Sequence, residues 1–216
     1  MAKDLSFKKI ESQKDFQNIV VFLHGYGANC DDLLSIGDLW KYELPNTLFI
    51  SPNAPFKCSW GGESYQWFDL TSVAPEKIGE GIKKAGPYLN GFIDNITKQH
   101  SIEINKIIFV SFSQGTMMAL YHLCKRKKAC SGLLGYSGLL YEDQNFEKDI
   151  TCRFPIKLFH GYDDEVINFE YTVKAFEKFR SLNFEVTHQI ENSLAHGISQ
   201  WGLESGLQFI KQKFYV

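Results

Sequence analysis

Short apolar runs alternate along this chain with segments whose apolar residues recur every three or four positions. The runs cover residues 19–23, 48–50, 107–110, 133–134, 156–159 and 184–190. The first ends at His24-Gly25, the second at Ser51-Pro52 and the third at Ser111. Strands that are apolar throughout, rather than at every second residue, belong to a parallel sheet covered on both faces. Between them, Ile78, Ile82, Ala85, Leu89, Phe92, Ile93 and Ile96 share one face of a helix over residues 76–98. The same spacing predicts helices over 114–124, over 169–182 and over 199–214. Strand followed by helix, repeated, predicts an α/β fold: a mostly parallel central sheet with helices on both faces. Only 52–75, rich in aromatics, Gly and Pro, carries no convincing element. A loop that long in a compact chain is more often functional than not.

Length and charge narrow the function classes. The 216 residues hold no repeat or linker and fit one domain, 1–216. A net charge of -2 creates no field that favours nucleic acid or an anionic membrane. The basic run Lys125-Arg126-Lys127-Lys128 reads as a helix end, where cations complement the carbonyl dipole. Five cysteines, an odd number without a CxxC pair, read as reduced thiols of a cytoplasmic protein, not as a disulfide frame or a metal site. The first ten residues lack an apolar signal core, and no apolar run reaches the roughly 20 residues of a membrane span. Neither secretion nor stable membrane insertion is expected.

The chemistry concentrates after the third apolar run. Residues 107–110 lead into Ser111-Phe112-Ser113-Gln114-Gly115 and then a helix. A serine at the apex of a tight strand-to-helix turn is a nucleophile elbow, G-x-S-x-G, with Ser111 in place of its first glycine. Strain at the apex lifts the hydroxyl off the sheet, and the flanking positions must be small because strand and helix pass close together there. The free amides of the helix N-terminus favour negative charge at the same spot.

A serine hydroxyl needs a neighbouring imidazole to take its proton. Of six histidines, His100 and His122 read as solvated, and His188 lies in a strand pattern. His24 follows the first strand and His160 ends another. His196 sits between the last strand and the last helix, and is the base expected for this order of elements. The acid comes from the strand end before it, in Gly161-Tyr162-Asp163-Asp164-Glu165. Asp164 is expected to orient the imidazole, with Asp163 as the alternative. The order Ser113, Asp164, His196 is that of α/β hydrolases. The oxyanion would be held by the Gln114 amide and a second amide from the loop 24–29, where glycines flank Tyr26.

Six segments together resemble the phospholipase/carboxylesterase family, which includes acyl-protein thioesterases and small bacterial carboxylesterases. They are residues 21–27, Pro52-Asn53-Ala54-Pro55, Trp67-Phe68-Asp69, Phe112-Ser113-Gln114-Gly115, Phe159-His160-Gly161 with Asp164, and His196-Gly197-Ile198. The resemblance implies an α/β-hydrolase fold and oxyanion-hole amides from Tyr26 and Gln114. It implies a serine esterase or thioesterase without a cofactor, acting on a small ester or on an acylated protein or lipid; it leaves a homodimer open. The chain departs from the family at Ser111, in the acid loop and over 56–66. With so few residues, little or no cap domain is expected. Tyr26, Phe56, Trp60, Trp67 and Phe68 are then candidates to line a groove for an acyl chain. A lysophospholipase and a non-catalytic binding module are the alternatives.

Mutation separates the two carboxylates. Asp164→Asn is expected to lower kcat by about 10⁴-fold, because the amide favours the wrong imidazole tautomer, and Asp163→Asn to be far milder. Steady-state kinetics on one short-chain ester decides, and the reverse ranking would move the acid to Asp163.

Overall fold

The computed structural model describes residues 4–11, 15–70 and 74–215. The first three residues of the N-terminal stretch, and 71–73 of the long loop, lie outside the described residues. The strands are β1 (Phe7–Glu11), β2 (Asn18–Leu23), β3 (Thr47–Pro52), β4 (Phe56–Lys57), β5 (Tyr65–Gln66), β6 (Ile107–Phe112), β7 (Gly132–Tyr136), β8 (Ile156–Gly161) and β9 (Val186–Glu191). The helices are α1 (Cys30–Trp40), α2 (Pro75–Gln99), α3 (Gln114–His122), α4 (Glu170–Ser181) and α5 (Gln200–Phe214). Seven strands form one sheet in the order β1-β3-β2-β6-β7-β8-β9, all parallel except β1, and β4 pairs with β5 apart from it.

Side chains on successive strand residues point to opposite faces. Val21, Ile50, Phe109, Leu133 and Leu158 therefore face α2, α3 and α4, where Ile82, Leu89, Met118 and Phe179 meet them. Phe22, Phe49, Val110, Leu134 and Phe159 face Leu33 and Trp40 of α1 and Phe209 and Ile210 of α5. Buried on both faces, β2, β3, β6 and β7 have no polar side, which is why they read as apolar runs, and in β8 the run is broken only by Lys157, whose ammonium donates to Ser205 of α5. All seven residues named for the 76–98 helix are buried in α2.

β1, α1 and both strands of the β4–β5 hairpin escape the apolar pattern. β1 is a charged edge strand, with Lys8 paired to Asp31 at 2.7 Å, and charge on an edge strand discourages unwanted pairing. α1 starts at Asn29, whose side chain accepts from the Asp31 amide. The β4–β5 hairpin lies inside the stretch expected to hold no element. His122 corrects another expectation. It is buried, its Nε2 is 2.9 Å from the Ile82 carbonyl, and its ring fills the notch left by the missing Cβ of Gly86. Burial pushes this imidazole down to about 4.

The basic run begins at the end of a helical segment, as expected. α3 ends at His122, and a 3-10 turn over Leu123–Lys125 follows. Lys125 pairs with Asp149, Arg126 with Asp94 and Asn90, and Lys128 with Glu103. Beyond marking the helix end, these cations are matched by carboxylates of neighbouring elements. Among the described residues, no helix is long and apolar enough to cross a membrane.

Leu89 is fully buried where α2 meets the sheet. Leu89→Ala is expected to cost about 2–5 kcal/mol by loss of burial and opening of a cavity. Urea unfolding measures it, and a loss below about 1 kcal/mol would mean that α2 is not packed this way.

Candidate active site

The order of strands reverses beside β2: the chain moves outward from β2 to β3, then returns to place β6 on the other side. Ligands of open α/β sheets bind at such a switch point, outside the carboxyl ends of the strands. The loop after β2 carries Tyr26 and the turn after β6 carries Ser113.

Ser113 has φ 52° and ψ -116°, a conformation that costs a non-glycine residue energy. Its amide donates to the Tyr136 carbonyl at 2.9 Å, and its carbonyl accepts the amides of Thr116 and Met117 in the first turn of α3. Gly115 permits the turn: a Cβ there would stand 2.0 Å from the Leu23 carbonyl oxygen. The backbones of β2 and α3 are thus in contact, and only glycine fits. Ser111 is fully buried, and its hydroxyl donates to the Leu134 carbonyl at 3.0 Å. Thr116 Oγ1 lies 3.1 Å from Ser111 Oγ and 2.9 Å from the Tyr136 carbonyl. The Ser111 side chain is therefore tied to β7 and α3.

His196 Nδ1 is 2.7 Å from Asp164 Oδ2. Asp164 Oδ1 accepts the amides of Val166 at 2.9 Å and Ile167 at 2.8 Å. Burial raises the affinity of this carboxyl for a proton. The Ile167 amide, the His196 ring and the Val166 amide outweigh that, and hold it below the usual carboxylate range. Asp163, the alternative, is exposed, and its amide donates to the Leu194 carbonyl. The His196 ring also packs against Phe112, with centroids 4.8 Å apart.

Gln114 is fully buried and its side chain works on the far loop. Its Oε1 accepts the Trp67 amide at 3.0 Å and its Nε2 donates to the Phe68 carbonyl at 2.8 Å. The Trp67 indole donates to the His24 carbonyl at 3.0 Å. His24 Nε2 accepts the Ala54 amide at 3.0 Å, so its Nδ1 carries the proton and donates to the Gly25 carbonyl at 2.7 Å. Burial pushes this imidazole down to about 4, so it stays neutral. One polar network thus joins the elbow, the loop after β2 and the stretch after β3.

A cavity of about 530 Å³ opens beside Ser113 and His196. Tyr26 and Phe112 line it near the serine, and Ile78, Met117, Leu140 and Ile167 are among its apolar walls. The other aromatic candidates stand elsewhere. Trp67 and Phe68 are buried in the core, so their indole and phenyl faces are used in packing. Phe56 meets Tyr88, with centroids 5.5 Å apart. Trp60 is exposed against the edge of Tyr26, outside the cavity wall. The cavity wall is gathered from α2, α3, α4 and the loops after β7 and β8, and no local spacing marks such a set. Among the described residues no cluster of His, Cys, Asp or Glu has the geometry of a metal site.

The environment of Ser111 makes the elbow testable. Ser111→Gly is expected to keep kcat/KM within roughly tenfold, since glycine fits any such turn. Ser111→Val places a branched, non-donating side chain against Leu134 and Thr116, and is expected to cost on the order of 100-fold by displacing Ser113. Kinetics on a short-chain ester, with circular dichroism to confirm folding, reads both, and a folded Ser111→Val with full activity would contradict a tight elbow here.

Comparison with known proteins gives the arrangement its relatives. The sequence model of the phospholipase/carboxylesterase family matches residues 6–214. Acyl-protein thioesterase 1 of Candida albicans is 27% identical over 212 residues, which cover 89% of this chain and 90% of that protein. Esterase YpfH of Escherichia coli is 23% identical over 198 residues, covering 92% of this chain and 84% of that protein. Among solved structures, esterase PE8 superposes with a TM-score of 0.93 at 30% identity, covering 97% of this chain and 99% of that one. Acyl-protein thioesterase 2 of Zea mays shares the fold, with a TM-score of 0.75 at 21% identity, over 97% of this chain and 99% of that one. With its α/β-hydrolase fold and a family match over nearly its whole length, this chain belongs to the phospholipase/carboxylesterase family of serine hydrolases.

Proposed function

We propose that this protein hydrolyses carboxylic esters or acyl thioesters through an acyl-enzyme on Ser113, with His196 as general base and Asp164 as its orienting acid. The observation that carries the reading is the 2.7 Å contact between His196 Nδ1 and the buried Asp164 carboxylate, beside a cavity that His196 shares with Ser113. With Nδ1–H donating to Asp164, the other ring nitrogen is free to accept a proton. His196 takes the Ser113 proton as Oγ attacks the acyl carbon. Asp164 stabilises the imidazolium without accepting the proton. The amides of Tyr26 and Gln114 hold the oxyanion, the second at the N-terminus of α3 where the helix dipole adds to it. His196 then protonates the departing alkoxide or thiolate, and a water activated by the same ring releases the acid.

The apolar cavity suits an acyl chain, because each buried methylene contributes about 0.8 kcal/mol. Relatives named acyl-protein thioesterase support acylated protein as one substrate class, and the five thiols, all free, suit a cytoplasmic setting. No step needs a cofactor.

Ser113→Ala is expected to abolish ester hydrolysis and labelling by a fluorophosphonate probe while the fold is kept. Losing a triad member typically costs about 10⁴- to 10⁶-fold in kcat. Retained labelling at another serine would refute the assignment. A series of p-nitrophenyl esters and acyl thioesters of increasing chain length then separates esterase from thioesterase use.

A further inference from the structure

His160, the residue before the last of β8, also touches the carboxylate of the candidate acid. Its ring is buried, with Nε2 3.0 Å from Asp164 Oδ2 and 2.8 Å from the Ile167 carbonyl. Both partners accept and neither donates. Nε2 must therefore carry the hydrogen, and Nδ1, 2.7 Å from Thr172 Oγ1, accepts the threonine proton in the neutral ring. Asp164 Oδ1 thus accepts two amides and Oδ2 the His196 ring, while the His160 Nε2–H, bonded to the Ile167 carbonyl, also stands 3.0 Å from Oδ2 and shares its hydrogen between the two oxygens.

From this geometry we infer that His160 is a positioning residue: its Nε2–H fixes the rotation of the Asp164 carboxylate and shares Oδ2 with His196, which tempers the pull of that oxygen on the His196 proton. The inference rests on the triad reading above. Two amides hold Oδ1, and His160 adds the contact that holds the Oδ2 side toward His196; a small misplacement of a catalytic group lowers the rate severalfold to a hundredfold. A hydrogen bond to a carboxylate also lowers its basicity, so removing the donor strengthens the hold on the imidazolium. Burial pushes the His160 imidazole down, and a positive charge on His196 pushes it the same way, against the Ile167 carbonyl and Asp164. The net push is downward, in keeping with the neutral Nε2–H form that the contacts of both ring nitrogens require.

The test compares three forms of the full chain by the pH dependence of kcat/KM. In His160→Gln the amide nitrogen lies as many bonds from the backbone as Nε2 and can donate to the same oxygens; kcat is expected within about threefold of wild type and the acidic limb unmoved. His160→Leu removes the donor; kcat is expected to fall by about tenfold or more, and the acidic limb to move up by about half a pH unit. The other groups around His196 and Asp164 are Glu142 and the hydroxyls of Tyr26, Tyr141 and Tyr171 in the cavity, Asp163 and Glu165 on the acid loop, and Glu191 at the end of β9. They are common to all three forms, so their titration cancels in the comparison. A fall in activity with an unmoved limb would reduce His160 to a packing residue, and an equal loss in both variants would reject the donor role. Nitrogen NMR of the wild-type histidine rings needs no variant: the His160 signal is expected to show the neutral Nε2–H tautomer, and the opposite tautomer overturns the inference. Fluorophosphonate labelling of Ser113 in each form keeps the two readings apart, since its absence from the wild type would count against the triad and not against His160.

Discussion

The close crossing of α3 over the end of β2 is the constraint on which the rest of this structure depends. The Leu23 carbonyl oxygen would stand 2.0 Å from any Cβ at position 115. Strand and helix approach this closely only because glycine is there, and the chain then reverses through Ser113 at a positive φ. Strain of that kind persists only when its surroundings over-determine it. They do so here: the Ser113 amide is bonded to β7, its carbonyl to two amides of α3, and Ser111 is tied to Leu134. The hydroxyl that this turn presents sits at the switch point of the sheet, in front of a helix N-terminus.

A second layer of polar contacts holds the loops around that turn. Buried polar groups are costly unless paired, and satisfied networks rigidify what they join. His24, Gln114 and Trp67 meet both conditions, since each bonds to backbone of a different segment. The loop after β2 and the stretch after β3 are thereby placed relative to the elbow without being part of any regular element. Trp67 of that stretch ties the loops together, and the cavity wall is built instead by residues from outside it, aliphatic ones of α2, α3 and the loops after β7 and β8 together with Tyr26, Phe112, Tyr141 and Tyr171.

The alternation of apolar runs and helical spacing determined the parallel core, because strands covered on both faces have no polar side and so cannot be mistaken for surface ribbons. Gly115 in the first turn of α3, and the expected order of Ser113, Asp164 and His196, were readable for a similar reason: each lies in a turn that follows a strand or opens a helix. The same pattern was blind to β1, whose Lys8, Lys9 and Glu11 suit an edge, and to the four paired residues of the β4–β5 hairpin. α1 had a readable start in Asn29, with Asp31 and Asp32 in its first turn, but only tertiary packing distinguishes that from an ordinary turn. The sequence favoured Asp164 and left Asp163 open, and the tertiary structure decided which of the two meets His196. A rotation of one residue along the loop exposes Asp163 and buries Asp164, and local composition is the same for both. Tertiary structure alone brought His160 onto that carboxylate, buried His122, paired the basic run with its acids and assembled the cavity from several separate regions. Sequence spacing reports the faces of single elements; a site made between elements depends on long-range packing that no local window contains.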